Sequence, residues 1–272
     1  MESYYKYQMI KNTRDLELDS RLNGLFECHA IFSSRKNFND PLDSKIVFIE
    51  PTAKELEELS SELSNQSQQA SEEFSSYLFN GELSEKGKEF IAKYIKHLDS
   101  LFDEEYFFYC VSDNGTSNLM WSHYGGSHYG FCIEFKNKFC RKIDEVIYKN
   151  ELPKLKMIDC LRYEFKSKGF QILANIDSNI LWNAIRTKYD EWSYESEYRI
   201  HAWDEMIESC IEKNDKFIKI KYDPTLVESI IFGYRMKERI KKYIIENIPY
   251  KVKFKQSILT DEGFKNVDYP VI

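Results

Sequence analysis

Short segments that alternate apolar with polar residues recur along the chain, a pattern typical of β-strands with one buried face. In the clearest of them, Phe131–Phe135, Glu134 takes the polar side of an otherwise apolar run. The alternation predicts strands at Tyr4–Ile10, Ala30–Ser34, Tyr106–Ser112, Tyr129–Phe135, Val146–Tyr148, Tyr198–Trp203, Phe217–Tyr222, Ser229–Gly233 and Lys251–Ile258.

Apolar residues spaced three and four positions apart predict helices between these strands. The most regular apolar face lies in Phe90–Phe102, and Ala53–Leu59 shows the same spacing. Ser60–Ser76 is rich in Ser, Gln and Glu, so it is either a loose helix or a flexible link. Further helices are predicted at Arg14–Leu25, Lys154–Leu181 and Lys237–Asn247.

Strands scattered along the chain, with helices between them, favour an α+β fold with a mostly antiparallel central sheet. A chain of 272 residues can bury a sizeable core. We therefore expect a single α+β domain over residues 1–272, with a helical insertion at residues 50–105.

Charge and composition narrow the classes of function. The net charge is −7, from 45 acidic and 38 basic residues, which argues against a general binder of nucleic-acid backbones but leaves room for a local basic patch. No signal peptide is visible at the first residues, and no apolar run approaches the roughly 18 residues of a membrane span. We expect a cytoplasmic protein without membrane contact.

The densest cluster of polar and aromatic side chains lies in Met120–Phe135, which holds two of the five histidines and three of the ten glycines. Glycine lets a backbone approach a ligand closely, and aromatic rings supply a stacking wall. Trp121–Gly130 is therefore predicted to form a functional pocket, with a structural turn as the alternative. The glycines argue against a helix here.

A second candidate site is Trp192–Arg199, which contains two glutamates in a Glu-x-Glu pattern. On a strand, Glu195, Glu197 and Arg199 would face the same side. Paired carboxylates can hold a ribose hydroxyl and stabilise a developing positive charge. The alternative is a solvated strand face on which Arg199 clamps the glutamates.

Six short segments occur in a fixed order along the chain. They are Tyr5–Tyr7, Phe32–Ser34, Phe38–Asp43, Met120–Tyr124, Trp192–Arg199 and Ile231–Gly233. In this ordered set the chain resembles the bacterial proteins grouped as domain of unknown function family 2971, from about Tyr4 to about residue 245. That family has no settled activity.

The order of these segments also resembles, more distantly, that of the ADP-ribosyltransferase superfamily, whose members split NAD at the nicotinamide–ribose bond. The resemblance places Lys6 or Tyr7 in the early strand, Ser33 or Ser34 in the second, and Glu195-x-Glu197 near a late strand. The chain departs from the pattern because the early strand has neither Arg nor His. The candidates to take that place are His29, Arg14 and His123.

The resemblance implies an NAD-consuming enzyme that modifies a macromolecular acceptor, a protein or a nucleic acid, or hydrolyses NAD. We expect a toxin or phage-defence role. Glu197 would steady the oxocarbenium-like charge and Glu195 would activate the acceptor. Ser33 or Ser34 would support the ribose or a glutamate. The remaining expected contacts to NAD come from Lys6, Tyr7, Trp121, Tyr124 and Arg199, and His123 is expected to meet Glu197 across the same cleft.

Two alternatives stay open. The protein could be a non-catalytic sensor in which Trp121–Gly130 recognises a nucleotide or a peptide. It could also be a metal-dependent nuclease or phosphodiesterase that uses His123, His128 and an acidic residue. His123 and His128 lie five residues apart, whereas two histidines that bind one metal ion from a helix lie four residues apart. A histidine that orients the loop by hydrogen bonding is therefore favoured over a metal-binding histidine.

Overall fold

The computed structural model describes residues 3–139, 142–172, 179–202 and 209–271. In these residues the strands are β1 (Ser3–Gln8), β2 (His29–Ser34), β3 (Val47–Ile49), β4 (Leu78–Phe79), β5 (Glu82–Leu83), β6 (Phe107–Ser112), β7 (Phe131–Lys136), β8 (Asp144–Glu145), β9 (Ile147–Lys149), β10 (Lys154–Lys156), β11 (Thr187–Tyr189), β12 (Glu197–His201), β13 (Cys210–Lys213), β14 (Phe217–Lys221), β15 (Val227–Phe232), β16 (Lys253–Thr260) and β17 (Gly263–Asp268).

The α-helices alternate with these strands. They are α1 (Ser20–Phe26), α2 (Ala53–Ser64), α3 (Gln68–Ser75), α4 (Glu85–Glu104), α5 (Asn118–His123), α6 (Met157–Ser167), α7 (Ile180–Ile185) and α8 (Glu238–Asn247). Short 3-10 helices span Leu16–Leu18, Arg35–Asn37, Asn137–Phe139, Asp190–Glu195 and Pro224–Leu226.

The chain divides into two compact units. The first contains Met1–Phe38, Tyr106–Val146 and Asp190–Ile272, and the second contains Asn39–Glu105 and Ile147–Tyr189. The expected helices of residues 50–105 are present as α2, α3 and α4. That the whole chain folds as one domain stays a prediction.

The first unit is built on one large sheet. Its strands follow the order β13, β14, β2, β6, β1, β7, β15, β16, β17, and β12 pairs with β6 and β8. Among the described residues, every strand pairing in this sheet is antiparallel except that of β15 with β16. The prediction of a mixed fold with a mostly antiparallel central sheet is therefore confirmed.

Strand β6 has an incompletely paired edge. On one side β12 pairs with it from Phe108 to Ser112. On the other side β2 pairs only with its first two residues, and β1 pairs only with Ser112. Among the described strands, none pairs with Tyr109–Val111 on this second edge, so the sheet is open between β1 and β2.

The core of the first unit lies between this sheet and the helices α1 and α8. Helix α1 buries Leu22 and Leu25, and α8 buries Ile240 and Ile244. Each such side chain contributes roughly 1.5–3 kcal/mol of transfer free energy when it is fully buried. The apolar faces of the two helices therefore hold them on the sheet.

The second unit has its own core, which the helices α2, α3, α4 and α6 build from their apolar faces. Helix α2 begins at a capping box in which Thr52 accepts from the N–H of Glu55 and the Glu55 carboxylate accepts from the N–H of Thr52. Ser60–Ser76, open in the sequence between a loose helix and a link, forms the end of α2 and the whole of α3.

Three predicted elements differ from the structure. Arg14–Leu25 is a 3-10 turn followed by α1, because the Asp19 carboxylate caps α1 at its N-terminus and stops a continuous helix there. Lys154–Leu181 contains β10, α6 and the start of α7, with residues 173–178 outside the described residues. Trp121–His123 is helical, since the glycines follow α5 instead of interrupting it. The last residue of the predicted strand Tyr198–Trp203 lies outside the described residues.

The glycines after α5 serve close packing. A Cβ on Gly125 would lie 2.4 Å from Cε3 of Trp121, and a Cβ on Gly130 would lie 2.1 Å from the carbonyl oxygen of Gln8. Both distances are far shorter than a van der Waals contact. These two positions therefore need glycine so that the turn can pack on α5 and β1, which is a structural reason and not a ligand contact.

Gly130→Ala is expected to lower the free energy of unfolding by about 1–3 kcal/mol, because the added methyl group meets backbone that cannot move aside. Urea unfolding measures the change. Gly24→Ala is the control, since its Cβ would make an ordinary 3.5 Å contact and Ala favours a helix interior. Equal stability of the two variants would show that the turn is not closely packed.

Candidate functional site

A cavity of about 300 Å³ occupies the opening between β1 and β2. Its floor includes Tyr109 from the unpaired stretch of β6, and its walls come from β1, β2, α1 and the end of α5. The lining residues are Lys6, Tyr7, Gln8, Met9, Lys11, Ser20, Arg21, Gly24, Leu25, His29, Ile31, Ser33, Tyr109, His123, Tyr124 and Ile133.

Five of the predicted site residues line this cavity, although they come from three distant parts of the sequence. They are Lys6, Tyr7, Ser33, His123 and Tyr124. The other five do not line it: Ser34, Trp121, Glu195, Glu197 and Arg199. Of the three proposed substitutes for an early Arg or His, His29 and His123 are in the wall, whereas Arg14 is exposed and lies outside it.

The side chain of Lys6 reaches from β1 to the unpaired edge of β6. Its Nζ donates a hydrogen bond to the carbonyl oxygen of Cys110 at 2.6 Å, within the stretch of β6 that lacks a strand neighbour. The same ammonium lies 4.6 Å from the centroid of the Tyr109 ring, in a cation–π contact. The side chain of Lys6 on β1 thus supplies the hydrogen-bond donor that the Cys110 carbonyl on β6 does not receive from a neighbouring strand.

The electrostatic surroundings of Lys6 are mixed. Burial lowers the pKa of the Lys6 ammonium below its ordinary value, and the guanidinium of Arg21 adds to this effect. Cys110 opposes the shift, as do the carboxylates of Glu197 and Glu195. The two glutamates therefore lie close enough to stabilise the charged form of Lys6, although neither reaches the cavity wall.

Tyr7 is the aromatic wall residue on β1, and Trp121 supports it from behind. The Tyr7 hydroxyl donates to the carbonyl oxygen of Asn114 at 2.7 Å. The ring centroids of Tyr7 and Trp121 are 5.0 Å apart at an interplanar angle of 90°. Trp121 is fully buried in a small core that also contains Met120, so it does not stack on a ligand as expected.

The two serines of β2 face opposite ways, as alternate strand residues do. Ser33 is half-buried and lines the cavity. Ser34 is fully buried, and its hydroxyl accepts from the N–H of Lys36 at the start of the following 3-10 turn. Ser33 is therefore the member of the pair that is placed to meet a ligand.

Glu195 and Glu197 do not lie on one extended strand, contrary to the sequence prediction. Glu195 ends a 3-10 helix, Ser196 takes a left-handed backbone conformation with φ 44°, and β12 begins only at Glu197. The reversal at Ser196 breaks the alternation that the prediction assumed. Both residues are buried, with relative exposures of 3% for Glu195 and 5% for Glu197.

Glu195 meets the end of α5. The Tyr124 hydroxyl donates to Glu195 Oε1 at 2.5 Å, and the hydroxyl of Ser112 donates to the Glu195 carbonyl at 2.6 Å. The neighbouring ring of His123 is exposed and lies 5.8 Å, centroid to centroid, from that of Tyr194. The two sequence segments that were predicted to share a pocket are thus in contact through Tyr124 and Glu195.

Glu197 and Arg199 form a buried ion pair on β12. The Nε of Arg199 donates to Oε1 of Glu197 at 2.7 Å. The guanidinium lies 5.1 Å from the ring centroid of Phe38 and 5.7 Å from that of Phe108. This is the Arg clamp that the sequence offered as an alternative, except that it is buried and not solvated.

His128 has a different environment from His123. It is buried, its Nε2 shares a hydrogen bond with Oδ1 of Asn118 at 3.1 Å, and its ring centroid lies 4.7 Å from that of Phe264. Burial lowers the pKa of this imidazole, and Arg235 adds to the effect. In the described residues, no group of three or more His, Cys, Asp or Glu side chains is placed to hold a metal ion.

The sequence did not predict Lys11 and Arg21 as site residues, nor Asp19, whose carboxylate binds their backbone N–H groups. Each oxygen of the Asp19 carboxylate accepts two backbone N–H groups. An Asp directly before a helical segment is a typical N-cap, so this role was visible in Asp19-Ser20-Arg21-Leu22. Its contact with the loop after β1 was not visible, since that contact depends on tertiary structure.

A second cavity of about 520 Å³ adjoins the first, since the two share Met9 and His123. It is lined by Met9, Ile10, Thr13, Ser122, His123, Gly126, Ser127, Tyr129, Gly130, Lys237 and Ile240. His123 therefore lines two cavities of the first unit, each within the size range of small-molecule sites.

A family model described as "Protein of unknown function (DUF2971)" matches residues 120–200. The matched range begins within α5 and ends in β12, so it includes both Tyr124 and Glu195. Comparisons with curated proteins and with solved structures gave no significant match. No described helix is both long and apolar enough to cross a membrane.

Glu197→Gln is expected to destabilise the fold by about 3–5 kcal/mol, because the buried Arg199 guanidinium loses the charge of its partner. Urea unfolding measures the loss. The matched control is Glu191→Gln, an exposed position in the same segment, for which a change within about 0.5 kcal/mol is expected. Equal, small effects would mean that the pair is not a clamp.

Proposed function

We propose that the protein is an NAD-consuming enzyme of ADP-ribosyltransferase-like type and that NAD binds in the cavity between β1 and β2. One observation carries this: residues of the first two motif segments line that cavity, and Tyr124 in the same wall contacts the third segment. Lys6 and Tyr7 come from β1, Ser33 comes from β2, and Tyr124 touches Glu195 of the Glu-x-Glu segment. The opening of the sheet beside its first strand provides the space for this ligand.

In this proposal the rings of Tyr7 and Tyr124 flank the nicotinamide, and the Ser33 hydroxyl binds the ribose. The nicotinamide–ribose bond breaks, nicotinamide leaves with the bonding electrons, and positive charge develops on the ribose. Glu197 supplies negative potential that stabilises this charge from behind the wall. Its distance from the wall makes this an electrostatic role without direct contact.

Tyr124 connects the cavity to Glu195. The attacking hydroxyl of an acceptor, or a water molecule, would pass its proton to the Tyr124 oxygen as Tyr124 passes its own proton to the Glu195 carboxylate. Glu195 therefore acts as the base through Tyr124. The acceptor in this proposal is a macromolecule, and the cellular role is that of a toxin or a phage-defence effector.

A second function is favoured by a specific observation. The Glu197 carboxylate is buried and forms an ion pair with Arg199, so its role can be to neutralise Arg199 and stabilise the fold without taking part in catalysis. In that case the cavity belongs to a sensor that binds a nucleotide and does not cleave it. The nuclease alternative receives no such support, because His128 is held in the core by Asn118.

Incubation of the protein with NAD separates these functions when NAD binding and free nicotinamide are both measured. Binding with release of nicotinamide supports the enzyme. Binding without release, with and without a mixture of cellular acceptors, supports the sensor and contradicts the enzyme. Absence of both contradicts the assignment of NAD to this cavity.

Tyr124→Phe is expected to slow nicotinamide release by roughly 10²-fold or more, because the proton path to Glu195 is broken while the ring still fills the wall. NAD affinity should change little. Tyr129→Phe is the matched control, since this tyrosine is 48% exposed and lies outside the first cavity. A Tyr124→Phe protein that is folded and releases nicotinamide at the normal rate would contradict the relay.

A further inference from the structure

The wall of the first cavity is cationic, although the chain as a whole has a net charge of −7. The wall contains the cations Lys6, Lys11 and Arg21 beside the imidazole rings of His29 and His123, and no carboxylate side chain lines it. Like charges that face a common space repel one another unless counter-charges are near. The counter-charge of each group therefore decides what the cavity can hold.

Two of these groups have an acidic neighbour. The ammonium of Lys6 is stabilised from behind by Glu195 and Glu197 and also donates to a backbone carbonyl. Nδ1 of His29 lies 3.2 Å from Oε2 of Glu27, whose side chain is 60% exposed. The charge of Lys6 is thus balanced in part by the protein itself, and burial lowers the pKa of His29, which favours its neutral form.

Lys11 and Arg21 lack such a partner. Neither side chain forms an ion pair with a carboxylate within residues 3–139, 142–172, 179–202 and 209–271. The guanidinium of Arg21 also lies near enough to Lys6 to disfavour its charged form. Two cations without a protein counter-charge therefore face one 300 Å³ space.

The carboxylate of Asp19 holds the backbone at both Lys11 and Arg21. Its oxygens accept backbone N–H groups and pair with neither cationic side chain. Its Oδ2 accepts from the N–H of Lys11 at 2.7 Å, and its Oδ1 accepts from the N–H of Arg21 at 3.0 Å. Asp19 is 1% exposed and accepts two further backbone N–H groups. The backbone at two residues ten apart in sequence is in this way held by one carboxylate, and both side chains line the cavity.

We propose that Lys11 and Arg21 form a subsite for the phosphate groups of a pyrophosphate-bearing ligand. The planar guanidinium of Arg21 can bind two phosphate oxygens at once, and the ammonium of Lys11 adds a mobile point charge. The identification of the anion as a pyrophosphate rests on the proposed function, because NAD carries this group. The subsite itself depends only on the charges and on their anchoring by Asp19.

Titration calorimetry with inorganic pyrophosphate tests the subsite in the full-length protein. The wild-type protein is expected to bind, and higher salt should weaken binding. Arg21→Ala should weaken it about tenfold or more, since a hydrogen bond to a charged group contributes about 1.5–3 kcal/mol. Lys11→Ala should weaken it by a smaller factor, and thermal unfolding should show that both variants fold.

The control is Arg14→Ala, which removes the same charge from an exposed residue of the same segment, outside both cavities. Failure of the wild-type protein to bind pyrophosphate would overturn the subsite, and so would an equal loss of affinity in Arg14→Ala and Arg21→Ala. Nicotinamide release is measured in parallel. Release without pyrophosphate binding removes the subsite alone, and pyrophosphate binding without release removes the enzymatic function alone.

Discussion

The unpaired stretch of β6 is the constraint on which the site depends. A buried backbone carbonyl must find a donor, and β1 and β2 together leave the edge at Tyr109–Val111 without a strand. The Lys6 ammonium supplies the donor for Cys110. The space between the two strands can then remain open as a cavity, because the edge beside it is satisfied by a side chain.

A lysine in that position needs negative charge nearby, since burial disfavours an ammonium. Glu195 and Glu197 supply it from behind the wall, and the left-handed conformation of Ser196 lets them serve different partners. Glu195 accepts from Tyr124, whereas Glu197 accepts from Arg199. A non-glycine residue in this conformation carries a conformational cost, which these buried contacts offset.

Much of the fold was predictable because strand alternation and helix spacing are local signals. The convergence of Lys6, Tyr7 and Ser33 followed from the order of segments. The place of Trp121 did not follow, because an aromatic residue beside glycines has the same pattern whether it packs in a core or stacks on a ligand. Lys11 and Arg21 stayed hidden for a related reason: neither is unusual in sequence, and their proximity depends on one capping carboxylate.

The central claim is that a ligand occupies the opening between β1 and β2, and hydrogen–deuterium exchange with and without NAD tests it most directly. Exchange should slow in peptides that cover Lys6–Met9, Ser20–Leu25 and His123–Tyr124, which contain residues that line the cavity. Peptides from β16 and β17 should be unaffected, as no residue of theirs lines it. Saturating NAD that leaves the three lining segments unchanged, or that protects only other segments, would contradict the claim.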